Sequence, residues 1–280
     1  MIDRRYGKTT AAKLLLALGL GVPLVLTIVM SLQPSVDQVW PPSPLHWQRL
    51  LADGDVGHSI LRSLVLAAIS GAVATLVAWP AACVAALGRG MLERFIVVTA
   101  TIVLFSDPVA RIFGWVELLK DHGLLNWVLQ ALGLPPLMTF YGTTGSVILG
   151  TALSWAPVAL LAAYAVLRRI DPAIIQSARE CGASEWRLLR DMLLPLSRVG
   201  WIGGFAIAFL GSLGAILEPR LLGDSRSLGL AELLQKILDS EFDWPAAACV
   251  ALILIAIAVV VVAGLAALLA RHLRQEVRAS

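Results

Sequence analysis

The residues of this chain best equipped for chemistry are few, and they sit in apolar surroundings. Asp107, Arg111 and Glu117 follow the apolar run from Phe95 to Phe105. A charge at membrane depth is costly unless it faces a bundle interior or a water-lined route. Asp107 and Arg111 are four apart, so on a helix they can pair on one face. Asp107-Pro108 can equally cap a helix that restarts after a break. Two roles are open to this group: lining a route through a membrane, or locking helices together and meeting the outer interface. Glu218 stands just before Pro219 and Arg220. In a route, a fixed carboxylate offsets the lost hydration of a passing ammonium. The plain alternative is an exposed ion pair between Glu218 and Arg220. Trp115 and Trp155 are candidates to line the same route. Trp40, Trp47, Trp79, Trp127 and Trp244 fall near the ends of apolar runs and read as an interfacial belt.

No catalytic constellation accompanies these residues. His46, His58, His122 and His272 are scattered without metal-ligand spacing. Cys83, Cys181 and Cys249 show neither paired nor metal spacing, so packing as small hydrophobes is their expected role. A membrane-embedded enzyme would need His, Asp or Glu clustered on facing helices, and no such cluster assembles. No G-x-x-x-x-G-K-[ST] run is present, so any nucleotide-driven work must come from another subunit. The net charge of +3 reads as an orientation signal rather than affinity for nucleic acid.

The elements that must position these residues are membrane spans. Hydrophobic residues make up 58% of the chain and charged residues 15%, against about 25% charged in soluble domains; the mean hydropathy is +0.82. Apolar runs near the spanning length of about 20 residues give six expected spans. They run from Leu14 to Ser31, Ser59 to Leu87, Phe95 through a break at Asp107-Pro108, Thr144 to Leu167, Val199 to Leu217, and Pro245 to Ala270. Pro80 is expected to bend the second by removing one backbone bond. The stretch Leu124–Leu132 is expected to lie along the interface. Arg4, Arg5, Lys8 and Lys13 precede the first span, Arg89 and Arg94 follow the second, and Arg271, Arg274 and Arg278 follow the last. Nine of the 19 acids fall in the loops after the first and fifth spans. The positive-inside rule then places both termini, residues 1–13 and 271–280, in the cytoplasm. The reading is one permease-like domain over 14–270, with no internal repeat and no separate soluble domain.

Residues 171–198, DPAIIQSARECGASEWRLLRDMLLPLSR, are the longest densely charged interval between two spans. Asp171 and Pro172 read as N-cap and first helical residue. Gly182 reads as a helix stop because glycine accepts positive φ at low cost. Ser184 can cap a second short helix carrying Trp186, Leu189, Met192 and Leu193, and Pro195 can open the next span. Two short helices around a glycine, with an apolar stripe, suit docking into a groove of another protein. An ordinary amphipathic cytoplasmic loop is the alternative.

In Gln176-Ser177-Ala178, Gly182-Ala183, Trp186 and Leu194-Pro195, this interval resembles the EAA loop of binding-protein-dependent ABC importer permeases. Gln176 stands where that family usually has Glu, and Ser177 where it has the first Ala. The resemblance implies an all-α membrane protein of the type I importer permease form, with six transmembrane helices. It implies that Gln176, Ser177, Ala178, Gly182, Ala183, Trp186 and Pro195 contact an ATPase subunit. Arg111-Ile112-Phe113-Gly114-Trp115, Gly123-Leu124-Leu125-Asn126, Leu221-Leu222-Gly223 and Trp244-Pro245 are similar to the spermidine/putrescine-type permeases. That likeness implies a bacterial inner-membrane location, a second and different permease chain, two ABC ATPase subunits and a periplasmic substrate-binding protein. It implies no cofactor or metal on this chain, with ATP used by the partner ATPase. The implied solute is a polyamine or a related small organic molecule. Ala215 and Arg220 depart from the acids common at those positions, which leaves open an inorganic ion, an opine or an amino-acid derivative. A channel or secondary transporter, which needs no ATPase, is the remaining class.

Overall fold

The computed structural model describes residues 17–35, 40–52, 54–88, 90–135, 140–223 and 229–279. The basic stretch expected at 1–13, Asp37, Asp53 and Arg89 lie outside them, as do the side chains of Asp55, His272, Arg274 and Arg278. Every regular element in the described residues is helical. A lipid-embedded backbone must satisfy its own hydrogen bonds, and the helix does so within a single segment.

The elements are α1 (Val22–Ser31), α2 (Leu45–Ala52), α3 (Gly54–Leu87), α4 (Met91–Phe105), α5 (Pro108–Leu119), α6 (Leu124–Ala131) and α7 (Thr144–Leu167). There follow α8 (Pro172–Glu180), α9 (Glu185–Leu196, with a π-helical middle at Leu188–Leu193), α10 (Arg198–Leu213), α11 (Leu217–Leu222), α12 (Leu230–Lys236) and α13 (Trp244–Ala279). Among the described residues, three helices are long and apolar enough to cross a membrane: Val56–Leu87 of α3, α7, and Trp244–Arg271 of α13. Two bent pairs are apolar enough to be either broken crossings or re-entrant loops. Met91–Phe105 meets the run from Pro108 at 105°, and α9 meets α10 at 71°. The helix α1 has 10 residues, about 15 Å of rise, and is led into by a π-helical turn, Ala17–Gly21.

The chain forms two units, one of residues 1–60 and 230–257 and one of residues 61–229 and 258–280. In the first, Leu50, Val56, Leu230, Ile237, Cys249 and Val250 make the core. Asp243 opens α13: its carboxylate accepts from Ala246 N at 3.0 Å and stands 3.5 Å from His46 Nδ1. His46 is buried. Trp47 Nε1 donates to Ser31 Oγ at 3.4 Å, and Cys249 Sγ to Ser31 O at 3.5 Å.

In the second unit the central pair is α7 against α10. Thr143 and Ser146 form a capping box that starts α7. Facing it, Gly200 and Gly204 present bare backbone to α7. A Cβ on Gly204 would sit 3.1 Å from Ala159 O and 3.2 Å from Ala159 Cα, and one on Gly200 3.1 Å from Ala163 Cα. Small residues of this kind let helices approach closely in lipid, where dispersion contacts replace the hydrophobic effect as the driving force. Helix α3 runs unbroken through Pro80, and α7 through Pro157.

Candidate functional site

Local chemistry shapes the charged interval. Asp171 caps α8, its Oδ1 accepting from Ala173 N at 2.9 Å. Gly182 then turns left-handed at φ +81°. Gly182 N donates to Arg179 O at 2.9 Å and Ala183 N to Ala178 O at 3.0 Å, the paired bonds that close a helix through a glycine. Ser184 Oγ accepts from Arg187 N at 3.4 Å to start α9. Across the turn, Arg179 Nε lies 3.0 Å from Glu185 Oε1. Gln176, Ser177, Gly182 and Trp186 are exposed, Trp186 at 69%, while Ala178, Ala183 and Pro195 are half-buried. Gln176 Nε2 donates along the helix to Glu180 at 3.2 Å.

What roots this interval is not in its polar face. Leu188 and Leu193 of α9 are each 1% exposed. They pack with Ala82 and Cys83 of α3, Ala100 of α4 and Ala163 and Leu167 of α7. The two leucines are five apart, a spacing that faces one way only because Leu188–Leu193 is π-helical. Sequence reasoning at α-helical spacing placed Leu189 and Leu193 together and missed Leu188. A second cluster was missed as well. Tyr164 Oη donates to Glu93 Oε1, and Arg168 Nε lies 3.3 Å from the same carboxylate, which is 16% exposed. Glu93 thereby ties the start of α4 to the end of α7. The i, i+4 pair Tyr164 and Arg168, at the basic end of a span, is the signal that marks it. Beside it, Arg168, Ile175, Gln176, Arg179 and Leu193 line a cavity of about 350 Å³.

The break expected at Asp107-Pro108 is present, but the charges beside it do not pair with each other. Asp107 caps α5, its Oδ1 accepting from Ala110 N at 2.9 Å. Arg111 reaches back across the break, its Nη1 donating to Val103 O at 2.8 Å, and its buried Nε has no hydrogen-bond partner. The expected charge pair is replaced because each side chain found a backbone group freed by the break, nearer than the other charge. Glu117 pairs instead with Lys120. Trp115 packs with Ile112, Val116, Val147 and Leu222, which brings α5, α7 and α11 together. Glu218 lies on α11 and is buried, at 8% exposure, so the exposed pair with Arg220 is corrected on the glutamate's side. Trp155 is elsewhere, packed with Ala74, Ala152 and Ala208; a Cβ on Gly211 would overlap its indole. The candidate route residues thus divide: Asp107 and Arg111 at the break, Trp115 and Glu218 on elements that pack together, and Trp155 in the α3–α7–α10 packing. Among the described residues no three His, Cys, Asp or Glu side chains gather as metal ligands.

Known proteins extend this picture. Residues 80–278 match the family model described as the binding-protein-dependent transport system inner membrane component. The chain belongs to this family. The matched region contains the charged interval, the broken third span and α11. Within reach of the family are the inner membrane ABC transporter permease protein YdcU of Escherichia coli K12, 29% identical over 178 residues, and the spermidine/putrescine permease PotB of Haemophilus influenzae, 24% identical over 191 residues. Those alignments cover 59% and 66% of this chain, and 56% and 65% of the relatives, so this chain spans between half and two thirds of either. Its fold resembles a chain of a bacterial alginate ABC transporter in complex with an alginate-bound periplasmic protein, with a TM-score of 0.66 at 18% identity over 93% of this chain and 91% of that one.

Proposed function

We propose that this chain is the membrane-spanning permease subunit of an ATP-driven importer, and that residues 171–198 are the surface on which an ABC ATPase subunit docks. One observation carries the reading. The segment exposes Gln176, Ser177 and Trp186 on helices joined at a left-handed glycine, yet Leu188 and Leu193 root it among α3, α4 and α7. A force applied to the exposed face therefore reaches the spans directly. ATP is hydrolysed on the ATPase partner. A periplasmic binding protein delivers the solute, and a second permease chain completes the route. Six spans with both termini in the cytoplasm are the topology that the charge distribution supports; α3, α7, α13, the two bent pairs and α1 supply the six helical segments.

The solute favoured by the likeness to PotB is a polyamine or a related small organic molecule, with Asp107, Arg111, Trp115, Trp155 and Glu218 as candidate route residues. A different solute is the second reading. Ala215 and Arg220 favour it, because a route for polycations gains from carboxylates and loses from a fixed guanidinium. The test is reconstitution of the permease with its ATPase and binding protein, followed by a solute screen. ATPase stimulation by one loaded binding protein supports the reading, and spermidine against other solutes decides the class. Transport without any ATPase would overturn it in favour of a secondary transporter.

A further inference from the structure

On the α3 side of α9 lies a groove that shares only the exposed Trp186 with the docking residues named above. Its volume is about 370 Å³, within the roughly 300–1,000 Å³ of small-molecule sites. Pro80, Cys83, Val84 and Leu87 of α3 form one wall, and Leu189 and Leu194 of α9 form the other. Trp79, also in the wall, has its indole N–H committed to Ser197 Oγ at 2.9 Å. The walls therefore offer almost nothing polar, and water gains little there.

Two further observations say what covers it. The first is continuity with the membrane. Pro80 and Val84 line the groove and are exposed, and Leu76, one turn earlier on the same face of α3, is exposed as well. The exposed apolar stripe of a helix long enough to span thus runs into the groove without interruption. The second is charge. Glu185 and Arg190 are the two charged residues in the lining. Glu185 is already held by Arg179 at 3.0 Å. Arg190 makes no ion pair among the described residues. Trp186 stands beside it, exposed, with the amphipathic indole favoured at membrane–water boundaries.

We propose that this groove binds one anionic phospholipid, an acyl chain lying along Pro80, Val84 and Leu194 and the phosphate meeting Arg190 under Trp186. A groove apolar at the membrane end and cationic at the water end matches the two halves of such a lipid. A basic residue at that depth attracts anionic headgroups, and its apolar stem can lie along the groove while the guanidinium reaches the phosphate. The π-helical turn that lets α9 bury Leu188 and Leu193 on one side leaves Trp186, Arg190 and Leu194 for the groove on the other. Segments of this kind are frequent at functional sites.

Native mass spectrometry of the assembled transporter tests the site independently of transport. The purified complex is delipidated, then titrated with dipalmitoyl phosphatidylglycerol or dipalmitoyl phosphatidylcholine. The expected result is one tightly held phosphatidylglycerol per permease chain and weaker phosphatidylcholine. Arg190→Gln lowers the preference about fivefold, one surface arginine's share of the attraction. Val84→Trp and Leu194→Trp fill the groove from opposite walls and abolish the tight lipid, while Phe105→Trp, an exposed position outside the groove, leaves it bound. Equal retention of both lipids by the unaltered complex overturns the assignment. So does an unchanged tight lipid in both groove-filling variants. A photoreactive residue at position 84 that captures a protein subunit instead of lipid overturns it too.

Discussion

Substituting Gly182 separates the backbone demand of the docking segment from everything around it. The residue sits at φ +81°, and a Cβ built there meets no atom within 4 Å. The whole cost of a side chain is therefore conformational. An L-residue in the left-handed region costs about 1–2 kcal/mol, and a β-branched residue falls at or above the upper end. Against this stand two turn hydrogen bonds and one exposed ion pair, Arg179 with Glu185, worth about 0.2–1 kcal/mol. Leu188 and Leu193 lie beyond the turn and hold α9 in place, so the strain is relieved by reorienting α8. A loss of about 1–2 kcal/mol lowers the ratio of correctly set to reoriented α8 by roughly five- to thirtyfold, the upper bound on the loss of binding. Gly182→Val is expected to weaken ATPase binding by up to that factor and to lower uptake, with the amount in the membrane unchanged. Gly182→Asn should stay close to the parent, because asparagine accepts the left-handed region. ATPase titration onto nanodisc-embedded permease, with an uptake assay beside it, reads both. If Val matches glycine, the turn does not set the docking surface. If Asn falls as far as Val, a steric contact rather than backbone conformation is responsible.

Three other outcomes are expected. Phe242 is 68% exposed, and a cysteine placed there in a chain lacking Cys83, Cys181 and Cys249 should label from the periplasmic side; labelling from the cytoplasm alone would remove the six-span topology. Exchanging Asp107 and Arg111 should not restore uptake lost in either single variant, because their partners are Ala110 N and Val103 O; Asp107→Ala should cost about 1 kcal/mol of helix capping and Asp107→Asn much less, as read by thermal unfolding in detergent. Gly204→Leu should destabilise by about 1–3 kcal/mol through overpacking against α7, and an unchanged melting curve would contradict the close contact.

The parts of this molecule written in local chemistry were legible in its sequence. Thr144 to Leu167 emerged with the right ends because the apolar run meets a capping box at one side and arginines at the other. The break at Asp107-Pro108 and the turn at Gly182 were legible for the same reason: cap, proline and glycine act on their immediate neighbours. Contacts between distant segments were not. Glu93 reads as part of a polar turn until α7 brings Tyr164 and Arg168 to it. The alternative of an exposed Glu218 paired with Arg220 stands until α11 folds in beside α5 and α7 and buries the glutamate. Arg111 has a suitable partner four residues away, and only the angle of the break shows that Val103 O is the nearer choice. The leucines that root α9 follow a spacing that the ordinary helical period does not reward.

The bare contact of Gly200 and Gly204 with α7 has a mechanical meaning. With no side chain from α10 at these two positions, α7 and α10 are expected to have little room to slide or roll and to move as a unit. Under the proposed transport role, movement is expected to gather at the two bends, at residues 106–107 and at Ser197. The two elbows are not equally free. Ser197 is clasped, its buried hydroxyl accepting from Trp79 and donating to Leu193 O at 2.6 Å. Ser106 and Asp107 are exposed, and across that joint reaches the single guanidinium bond of Arg111. The bend at 106–107 is then expected to be the more compliant, with the bend at Ser197 following it. Amide hydrogen exchange faster at 106–110 than at 194–200 is the signature of that order, and the reverse ranking would assign the lead to the other elbow.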